Sequence, residues 1–185
     1  MATLSVFIFT SLNGCTHDID GDISWHVHGE EENEFASKSL SSHNILLFGR
    51  KTYEMMVSYW PTPMALEHDP KLAAQMNNAE KIVCSNTLRN AEWQNTKVIG
   101  GDIFQAIKDL KATSPHNITI LGSNTLATQL AEQGLIDELQ LMIDPVAIEN
   151  GVSLFATLNR PLSFSIKDMH VMKSGVVLLN YTFNN

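Results

Sequence analysis

Three short polar segments carry residue types that bind phosphate groups, and each follows an apolar run. Gly49-Arg50-Lys51-Thr52 combines a glycine, which lets a ligand approach the backbone closely, with two cations and a hydroxyl group. Ser85-Asn86-Thr87, together with Arg89, offers hydroxyl, amide and guanidinium donors. Gly122-Ser123-Asn124-Thr125 repeats the combination of glycine and hydroxyl groups. The first segment predicts a cradle for a pyrophosphate, the second a contact to a ribose phosphate, and the third another turn of the same kind.

The place of these segments between predicted elements supports that interpretation. Each lies where a strand is predicted to end, and open α/β sheets bind ligands beyond the carboxyl ends of their strands, where helices begin with free N–H groups. A glycine at such a turn can also serve only to pack a strand tightly against a helix. Neither the GxGxxG motif of ordinary dinucleotide folds nor the GxxxxGK[ST] phosphate loop occurs, so the prediction rests on the serial order of the three turns.

The first part of the chain predicts a strand, a helix, a second strand and a second helix. Residues 4–10 are rich in β-branched and aromatic side chains and end at a turn signal, which predicts a buried strand. Residues 14–29 are too polar for a core element and long enough for a functional loop. Four glutamates in residues 30–34 favour a helix start, because the helix dipole stabilises acids there. A strand at residues 44–48 and a helix after it complete the alternation of an α/β fold.

The remaining residues continue this alternation and end in a predicted hairpin. A looser segment with Pro61, Pro63 and Pro70 follows the second helix. Asp102 with Gln105 three residues later is a capping-box pattern, which predicts a helix over residues 103–111. The other predicted elements are strands at residues 81–84, 97–99 and 118–121, a helix closed by Gly134, an alternating segment at residues 139–143, and a β-hairpin of residues 162–171 and 176–183.

Composition limits the classes of function. With 185 residues, 44% of them hydrophobic, the chain has enough apolar material for one core, and we expect a single domain over residues 1–185. The net charge of -8 and the scattered basic residues argue against a nucleic-acid partner. Cys15 and Cys84 lie far apart without disulfide or metal-ligand spacing, which predicts reduced thiols. The apolar runs are too short to cross a membrane and no leader pattern occurs, so we expect a cytoplasmic protein that does not bind membranes.

The order of several motifs resembles the dihydrofolate-reductase-like superfamily, and within it the reductase domain of the bifunctional riboflavin-biosynthesis deaminase-reductase. The more specific motifs are Gly49-Arg50-Lys51-Thr52-Tyr53-Glu54 and Gly134-Leu135-Ile136-Asp137-Glu138-Leu139. The others are Ser11-Leu12-Asn13-Gly14, Asp20-Gly21-Asp22-Ile23-Ser24-Trp25, Leu121-Gly122-Ser123, and the stretch from Pro145 through Gly151 to Leu154-Phe155. Together these segments span nearly the whole chain in the family's order.

The resemblance implies a mixed, mainly parallel sheet flanked by helices, with NADPH laid across the strand ends. It implies that the cofactor phosphates contact Gly49, Arg50, Lys51 and Thr52, and that the adenine-ribose end contacts Ser85 and Asn86. The nicotinamide and pyrophosphate would be lined by Leu121, Gly122, Ser123, Asn124 and Thr125. The implied activity is hydride transfer from NADPH to a small heterocycle of pterin, pyrimidine or related type. Relatives also suggest a homodimer that uses residues 139–143 or the terminal hairpin.

The same resemblance points to catalytic residues near the first helix. Asp22 and Trp25 would lie in a loop that closes over the reacting ring. Folate-reducing members place an acid early in the first helix, and two alignments of this chain select either Glu31 or Glu30 for that position. The glutamates there can equally form a solvated helix start. Folate reducers also carry two successive glycines where this chain has Gly122-Ser123, so the backbone geometry of such a pair is not implied, and the substrate-phosphate residues of the riboflavin branch are not recognisable.

Other functions fit these residues less well. His26-Val27-His28 places two imidazoles on one side of an extended segment, but the spacing fixes no third metal ligand, and we predict no metal. Gly122-Ser123 lacks the flanking pattern of the GxSxG hydrolase elbow. A non-catalytic nucleotide-binding protein of the same fold is compatible with every motif above.

Overall fold

The computed structural model of the chain describes residues 1–27, 29–41 and 43–184. Strands and helices alternate along these residues as an α/β fold requires. The strands are β1 Leu4–Thr10, β2 Cys15–His17, β3 Ile45–Gly49, β4 Lys81–Cys84, β5 Thr96–Ile99, β6 Ile118–Leu121, β7 Glu138–Ile143, β8 Val152–Ser153, β9 Phe164–Val171 and β10 Val177–Phe183. The helices are α1 Glu30–Ser41, α2 Arg50–Tyr59, α3 Pro63–His68, α4 Pro70–Asn78, α5 Ile103–Thr113 and α6 Asn124–Glu132.

One large sheet contains eight strands in the order β5-β4-β3-β6-β1-β7-β10-β9. Neighbouring strands from β5 to β7 are parallel, whereas β10 runs antiparallel to both β7 and β9. The predicted mixed, mainly parallel sheet with a C-terminal β-hairpin is therefore confirmed. β2 and β8 form a separate antiparallel pair. Because the strands from β5 to β7 run in one direction, their carboxyl ends meet at one side of the sheet, which we call the carboxyl edge.

Apolar side chains cover both faces of the large sheet, as strands buried on two sides require. On one face, Leu47, Ile120 and Val6 follow one another across β3, β6 and β1 and belong to the same core as Ile107 of α5 and Leu130 of α6.

Two further apolar clusters lie on the opposite face of the sheet. Phe48 packs with Tyr53 of α2 and Met76 of α4, and Phe7 packs against Phe35 of α1 at a ring distance of 5.6 Å. Helices thus flank the sheet on both sides. Among the described residues, no helix is both long and apolar enough to cross a membrane.

The segment after α2 is helical, so the expectation of a looser segment was wrong. Pro63 and Pro70 are the first residues of α3 and α4, where the N–H group that proline lacks would have no partner within the helix. The side chains of Thr62 and Asp69 accept hydrogen bonds from first-turn N–H groups at 3.4 and 3.0 Å. These prolines therefore begin helices rather than interrupt the chain.

Helix α5 agrees with the capping pattern that predicted it. The Asp102 carboxylate accepts a hydrogen bond from the Gln105 N–H at 3.1 Å, as an N-cap residue does. The Gln105 side chain donates to Asp109 at 2.8 Å instead of returning to the cap. The helix start is thus confirmed, with half of the capping box formed.

Asp137, from the Gly-Leu-Ile-Asp-Glu motif, joins three elements where the parallel strands begin, at the side of the sheet that we call the amino edge. Its Oδ2 accepts hydrogen bonds from the Leu4 N–H of β1 and from Lys111 Nζ of α5, both at 2.7 Å. Lys111 also donates to the Leu135 carbonyl oxygen at 2.6 Å. The motif that carries part of the family resemblance therefore has a structural role far from the carboxyl edge.

Candidate functional site

The three segments predicted to bind phosphate groups lie side by side at the carboxyl edge. Gly49 ends β3, Ser85 follows β4 and Gly122 follows β6, and these strands are neighbours in the order β4-β3-β6. Parallel neighbours end next to each other, so the segments occupy one continuous stretch of the edge. Open α/β sheets bind their ligands at this position.

The first and third segments are in direct contact. The Gly49 N–H donates to the Ser123 Oγ at 3.0 Å. A β-carbon placed on Gly122 would stand 3.5 Å from the Thr52 methyl group, which is an ordinary van der Waals distance. These contacts fasten the ends of β3 and β6 together, so α2 and α6 begin beside each other.

Both of these helices begin without a side-chain cap. Gly49 and Ser123 occupy the N-cap positions of α2 and α6. Gly49 has no side chain that could cap its helix, and the Ser123 hydroxyl accepts no hydrogen bond from α6. By contrast, α3, α4 and α5 each begin with a side-chain cap. Uncapped N–H groups and the positive end of the helix dipole favour an anion. The pair of helix starts therefore forms a position at the carboxyl edge that favours negative charge.

Arg50 and Lys51 add two positive charges to the first turn of α2. The Arg50 guanidinium lies 2.8 Å from the Glu54 carboxylate one turn later, with 44% of its side chain exposed. Exposed ion pairs of this kind add little to stability. The guanidinium can therefore exchange Glu54 for a phosphate at little cost to the fold.

Gly122 and Ser123 both adopt left-handed backbone conformations, with φ of 63° and 57°. Glycine enters this region freely, whereas serine does so at a cost of roughly 1 kcal/mol or more. The turn after β6 thus bends sharply although serine takes the second position.

Leu121, just before the third segment, and the last two residues of that segment have different surroundings. Leu121 packs against the apolar cluster around Phe48, and the Asn124 amide donates to the Thr16 hydroxyl of β2. Thr125 is exposed in the first turn of α6. The segment therefore connects the loop after β1 to the start of α6.

Ser85 and Asn86 hold the ends of β4 and β5 together. The Ser85 Oγ accepts hydrogen bonds from the N–H groups of Thr87 and Leu88 at 3.1 and 2.9 Å, and the Asn86 Oδ1 accepts one from Gly101 at 2.6 Å. The oxygen atoms of both side chains are thus engaged within the turns, next to the first segment along the edge.

The loop that carries Asp22 and Trp25 lies over the end of β1. Trp25 packs edge-on against Phe9 at a ring distance of 5.9 Å, and its Nε1 is buried without a hydrogen-bond partner in the described part of the chain. Asp22 is exposed and binds Ser24 within the loop, and the Ser24 hydroxyl lowers the pKa of Asp22. Trp25 therefore packs against the end of β1, whereas Asp22 shapes the loop.

The acids at the start of α1 contact the turn of the terminal hairpin. The Glu31 carboxylate accepts the Lys173 N–H at 2.8 Å and lies 3.4 Å from Lys173 Nζ. That backbone hydrogen bond is the main reason why the pKa of Glu31 is lowered. Glu32 is buried and accepts a hydrogen bond from the Ser174 hydroxyl. Glu30, the alternative position for the acid, is exposed.

A buried imidazole and carboxylate meet at the carboxyl edge, a pairing that the sequence did not predict. His26 Nδ1 lies 2.9 Å from Oδ2 of Asp144, the residue after β7, and Asp144 is fully buried. The two residues are separated by 118 positions. Local patterns connect only residues that are close in the chain, so no sequence signal pointed to this pair.

His28, the second imidazole of the His-Val-His motif, lies outside the described residues. Among residues 1–27, 29–41 and 43–184, no group of three histidine, cysteine or acidic side chains could hold a metal ion. Cys15 and Cys84 are free and buried, and burial raises the pKa of the Cys84 thiol to about 12.

Comparison with solved structures shows a dihydrofolate-reductase-like fold. The putative riboflavin biosynthesis protein from Shewanella sp. PV-4 superposes with a TM-score of 0.77 and 23% identity, and the likeness covers all of both chains. Dihydrofolate reductase from Enterococcus faecalis, complexed with NADP(H), superposes with a TM-score of 0.66 and 17% identity, covering 99% of this chain and 97% of the reductase.

Comparison of sequences shows the family. The uncharacterized protein YyaP of Bacillus subtilis (strain 168) is 24% identical over 174 residues, which are 94% of this chain and 91% of YyaP. The family model of the RibD C-terminal domain matches residues 2–178. The chain therefore belongs to the RibD C-terminal domain family.

Proposed function

We propose that this protein is an NADPH-dependent reductase that transfers a hydride to a small heterocyclic substrate of pterin, pyrimidine or related type. The observation that carries the proposal is the contact between Gly49 and Ser123, which brings two uncapped helix starts together at the carboxyl edge. Helix N-termini and nearby cations both favour the phosphates of a dinucleotide. Arg50 and Lys51 supply the cations.

The residues of the edge have distinct proposed roles in holding the cofactor. Gly49, Arg50, Lys51 and Thr52 bind phosphates at the start of α2. Leu121, Gly122, Ser123, Asn124 and Thr125 line the nicotinamide and the pyrophosphate at the start of α6. Ser85 and Asn86 contact the adenine-ribose end, and the amide N–H groups of Asn86 are its donors, because its oxygen is bound to Gly101.

NADPH supplies the hydride when it is bound, so the protein needs no nucleophile of its own and contributes position and exclusion of water. Trp25 and the loop shaped by Asp22 cover the reacting ring. Glu31 anchors a polar group of the substrate. The hairpin turn at Lys173 must first release the carboxylate, and in its ionised form Glu31 then accepts hydrogen bonds rather than donating a proton.

The names of the similar proteins support the substrate class. A riboflavin-biosynthesis protein and a dihydrofolate reductase complexed with NADP(H) have this fold, and the family is named for RibD. Pyrimidines and pterins are flat, polar heterocycles, and a site between Trp25 and the turn after β6 suits a flat ring.

A second candidate is a nucleotide-binding protein of the same fold without turnover. The observation in its favour is that the carboxylates of Glu31 and Glu32 are both bound to the turn of the terminal hairpin. In that arrangement, neither acid is free to meet a substrate.

The experiment that separates these functions has two stages. NADPH and NADH binding is measured first by calorimetry, and cofactor oxidation is then followed against pterins, pyrimidines, quinones and nitroheterocycles. Binding together with oxidation supports the reductase. Binding without oxidation supports the non-catalytic protein. If neither NADPH nor NADH binds, the reductase and the non-catalytic dinucleotide-binding protein are both contradicted.

We also propose that the protein forms a homodimer through one face of the terminal strands. Val171, Met169 and Ile166 of β9 are aligned through β10 with apolar residues of β7, so they share one face, and they are 59%, 67% and 56% exposed. Lys167 is the extra residue of a bulge in β9, the last strand of the sheet. A bulge and a lysine on an edge strand both oppose hydrogen bonding to a strand of another chain. A second copy packed against the apolar face, rather than the edge, would remove these side chains from water.

A further inference from the structure

Strand β7 has an aspartate at each end, and the two carboxylates have the same kinds of partner. Asp137, before β7, accepts one backbone N–H, from Leu4, and one side-chain N–H, from Lys111. Asp144, after β7, accepts the Val27 N–H at 2.8 Å and faces the His26 imidazole at 2.9 Å. The first carboxylate joins elements at the amino edge, whereas the second holds a loop at the carboxyl edge.

The imidazole that Asp144 holds is packed between aromatic rings. The His26 ring stacks on Phe9 with 3.8 Å between centres and an angle of 4°, and Trp25 lies edge-on to it at 6.4 Å. Only 8% of His26 is exposed. The wall made by Phe9, Trp25 and His26 therefore contains a polar side chain that needs a hydrogen-bond partner in a buried place.

This wall stands next to the proposed cofactor turn. The Asp144 N–H donates to the carbonyl oxygen of Thr10, the last residue of β1, at 2.8 Å. The Gly122 N–H donates to the carbonyl oxygen of Phe7 on the same strand at 3.1 Å. Strand β1 thus contributes Phe9 to the aromatic wall and binds the turn after β6.

We propose that Asp144 is a positioning residue of the carboxyl edge: by holding His26 and the Val27 backbone, it keeps the loop of residues 18–27 against the strand ends. Its consequence for NADPH binding rests on the proposed function. The carboxylate contacts both the Nδ1 atom of His26 and the N–H group of Val27, so its loss removes one side-chain contact and one backbone contact of the loop.

The test compares Asp144→Ala with Asp137→Ala as the matched control. Hydrogen exchange of residues 18–27 and the NADPH dissociation constant are measured for both variants, with their Tm values. We expect both to lose thermal stability. Only Asp144→Ala should increase exchange in the loop, by about tenfold or more, and weaken NADPH binding by about tenfold.

Asp144→Asn is the conservative variant that identifies the mechanism. An asparagine can still accept the Val27 N–H through its oxygen and donate its amide to a His26 ring protonated on Nε2. It should restore loop protection to near the level of the wild type. If Asp144→Ala does not fold, His26→Ala replaces it, because that variant leaves the acceptor for Val27 in place.

Two results would overturn the inference. One is that the loop of Asp144→Ala exchanges hydrogen at the same rate as the loop of the wild type. The same result for His26→Ala would count in the same way if that variant is used. The other is an equal effect of Asp137→Ala on the loop and on NADPH affinity, which would mean that global stability alone is responsible. If the wild type does not bind NADPH, the reductase proposal fails, and the exchange measurements still decide the role of Asp144.

Discussion

At the scale of single residues, Arg50 separates ligand binding from stability. Its guanidinium is half exposed and its partner Glu54 is equally solvated, so its removal should leave the fold intact. We expect Arg50→Ala to weaken NADPH binding by about 1 to 3 kcal/mol, the scale for losing a hydrogen bond to a charged group. Calorimetric titration measures the change. The control is Arg160→Ala, which removes an exposed arginine that binds the Glu132 carbonyl oxygen. An unchanged NADPH dissociation constant for Arg50→Ala would contradict the proposal that the start of α2 binds phosphates.

Lys81 is a buried cation whose titration should appear in the stability of the protein. It is fully buried, and its Nζ donates to the carbonyl oxygens of Met76, Asn77 and Ala79 at 2.9, 3.0 and 2.7 Å. Burial lowers the pKa of Lys81 to about 8. In the unfolded chain its pKa is about 10.4, so between these values the unfolded state binds more protons than the folded state. The contribution of Lys81 to the free energy of unfolding should therefore increase as the pH rises from about 8 to about 10.

Replacement of Lys81 by methionine tests this pH dependence. Lys81→Met leaves three carbonyl oxygens without their donor, which should cost about 1 to 3 kcal/mol at neutral pH. Urea unfolding is followed at several pH values, and the gap between the wild type and Lys81→Met should widen with pH. Lys71→Met, at an exposed position of α4, is the control. A gap that stays constant from neutral pH to pH 10 would contradict the assigned shift.

At the scale of elements, the turn between β6 and α6 combines backbone strain with a hydrogen bond that joins it to the end of β3. Ser123 has a φ of 57°, which glycine would adopt more easily, and its Oγ accepts the Gly49 N–H. Ser123→Ala loses the hydrogen bond and keeps the strain, whereas Ser123→Gly loses both. We expect Ser123→Gly to be more stable than Ser123→Ala by about 1 kcal/mol in chemical unfolding. Equal stabilities would mean that the left-handed turn carries no strain.

Element boundaries could be predicted wherever the signal is local. Helix α5 was found where Asp102 and the apolar spacing placed it, because a cap and a helical period involve residues that are close in the chain. Helices α3 and α4 were missed because Pro63 and Pro70 also mark loops. Only their position directly after the caps Thr62 and Asp69 identifies them as first helical residues.

At the scale of the whole molecule, the apolar face of the terminal strands predicts self-association. We expect light scattering at micromolar concentration to give twice the chain mass of 20.6 kDa, because packing against a second copy would remove the face from water. Met169→Glu should shift the protein to a monomer. Met64→Glu, at a methionine of α3 that is 60% exposed, should remain a dimer. A wild-type monomer would contradict the assembly.

The continuity of the large sheet leads to a further prediction for the whole chain. The eight strands of the large sheet include both β1, near the start of the chain, and β10, near its end. We therefore propose that residues 1–185 form one domain. Far-ultraviolet and near-ultraviolet circular dichroism should then give one coincident unfolding transition. Two separated transitions would indicate independent units.

The resemblance to a known family implied the mainly parallel sheet, whereas the sequence by itself determined the alternation of strands and helices and the three turns at the ends of β3, β4 and β6. These features depend on the period of apolar residues and on local turn chemistry, which short segments carry. It could not assign partners to the polar side chains. Glu31 reaches Lys173 across 142 positions, and Asp144 reaches His26 across 118. Only the tertiary structure decided these pairings, because the order of strands in the sheet selects which distant carboxylates and donors lie next to each other.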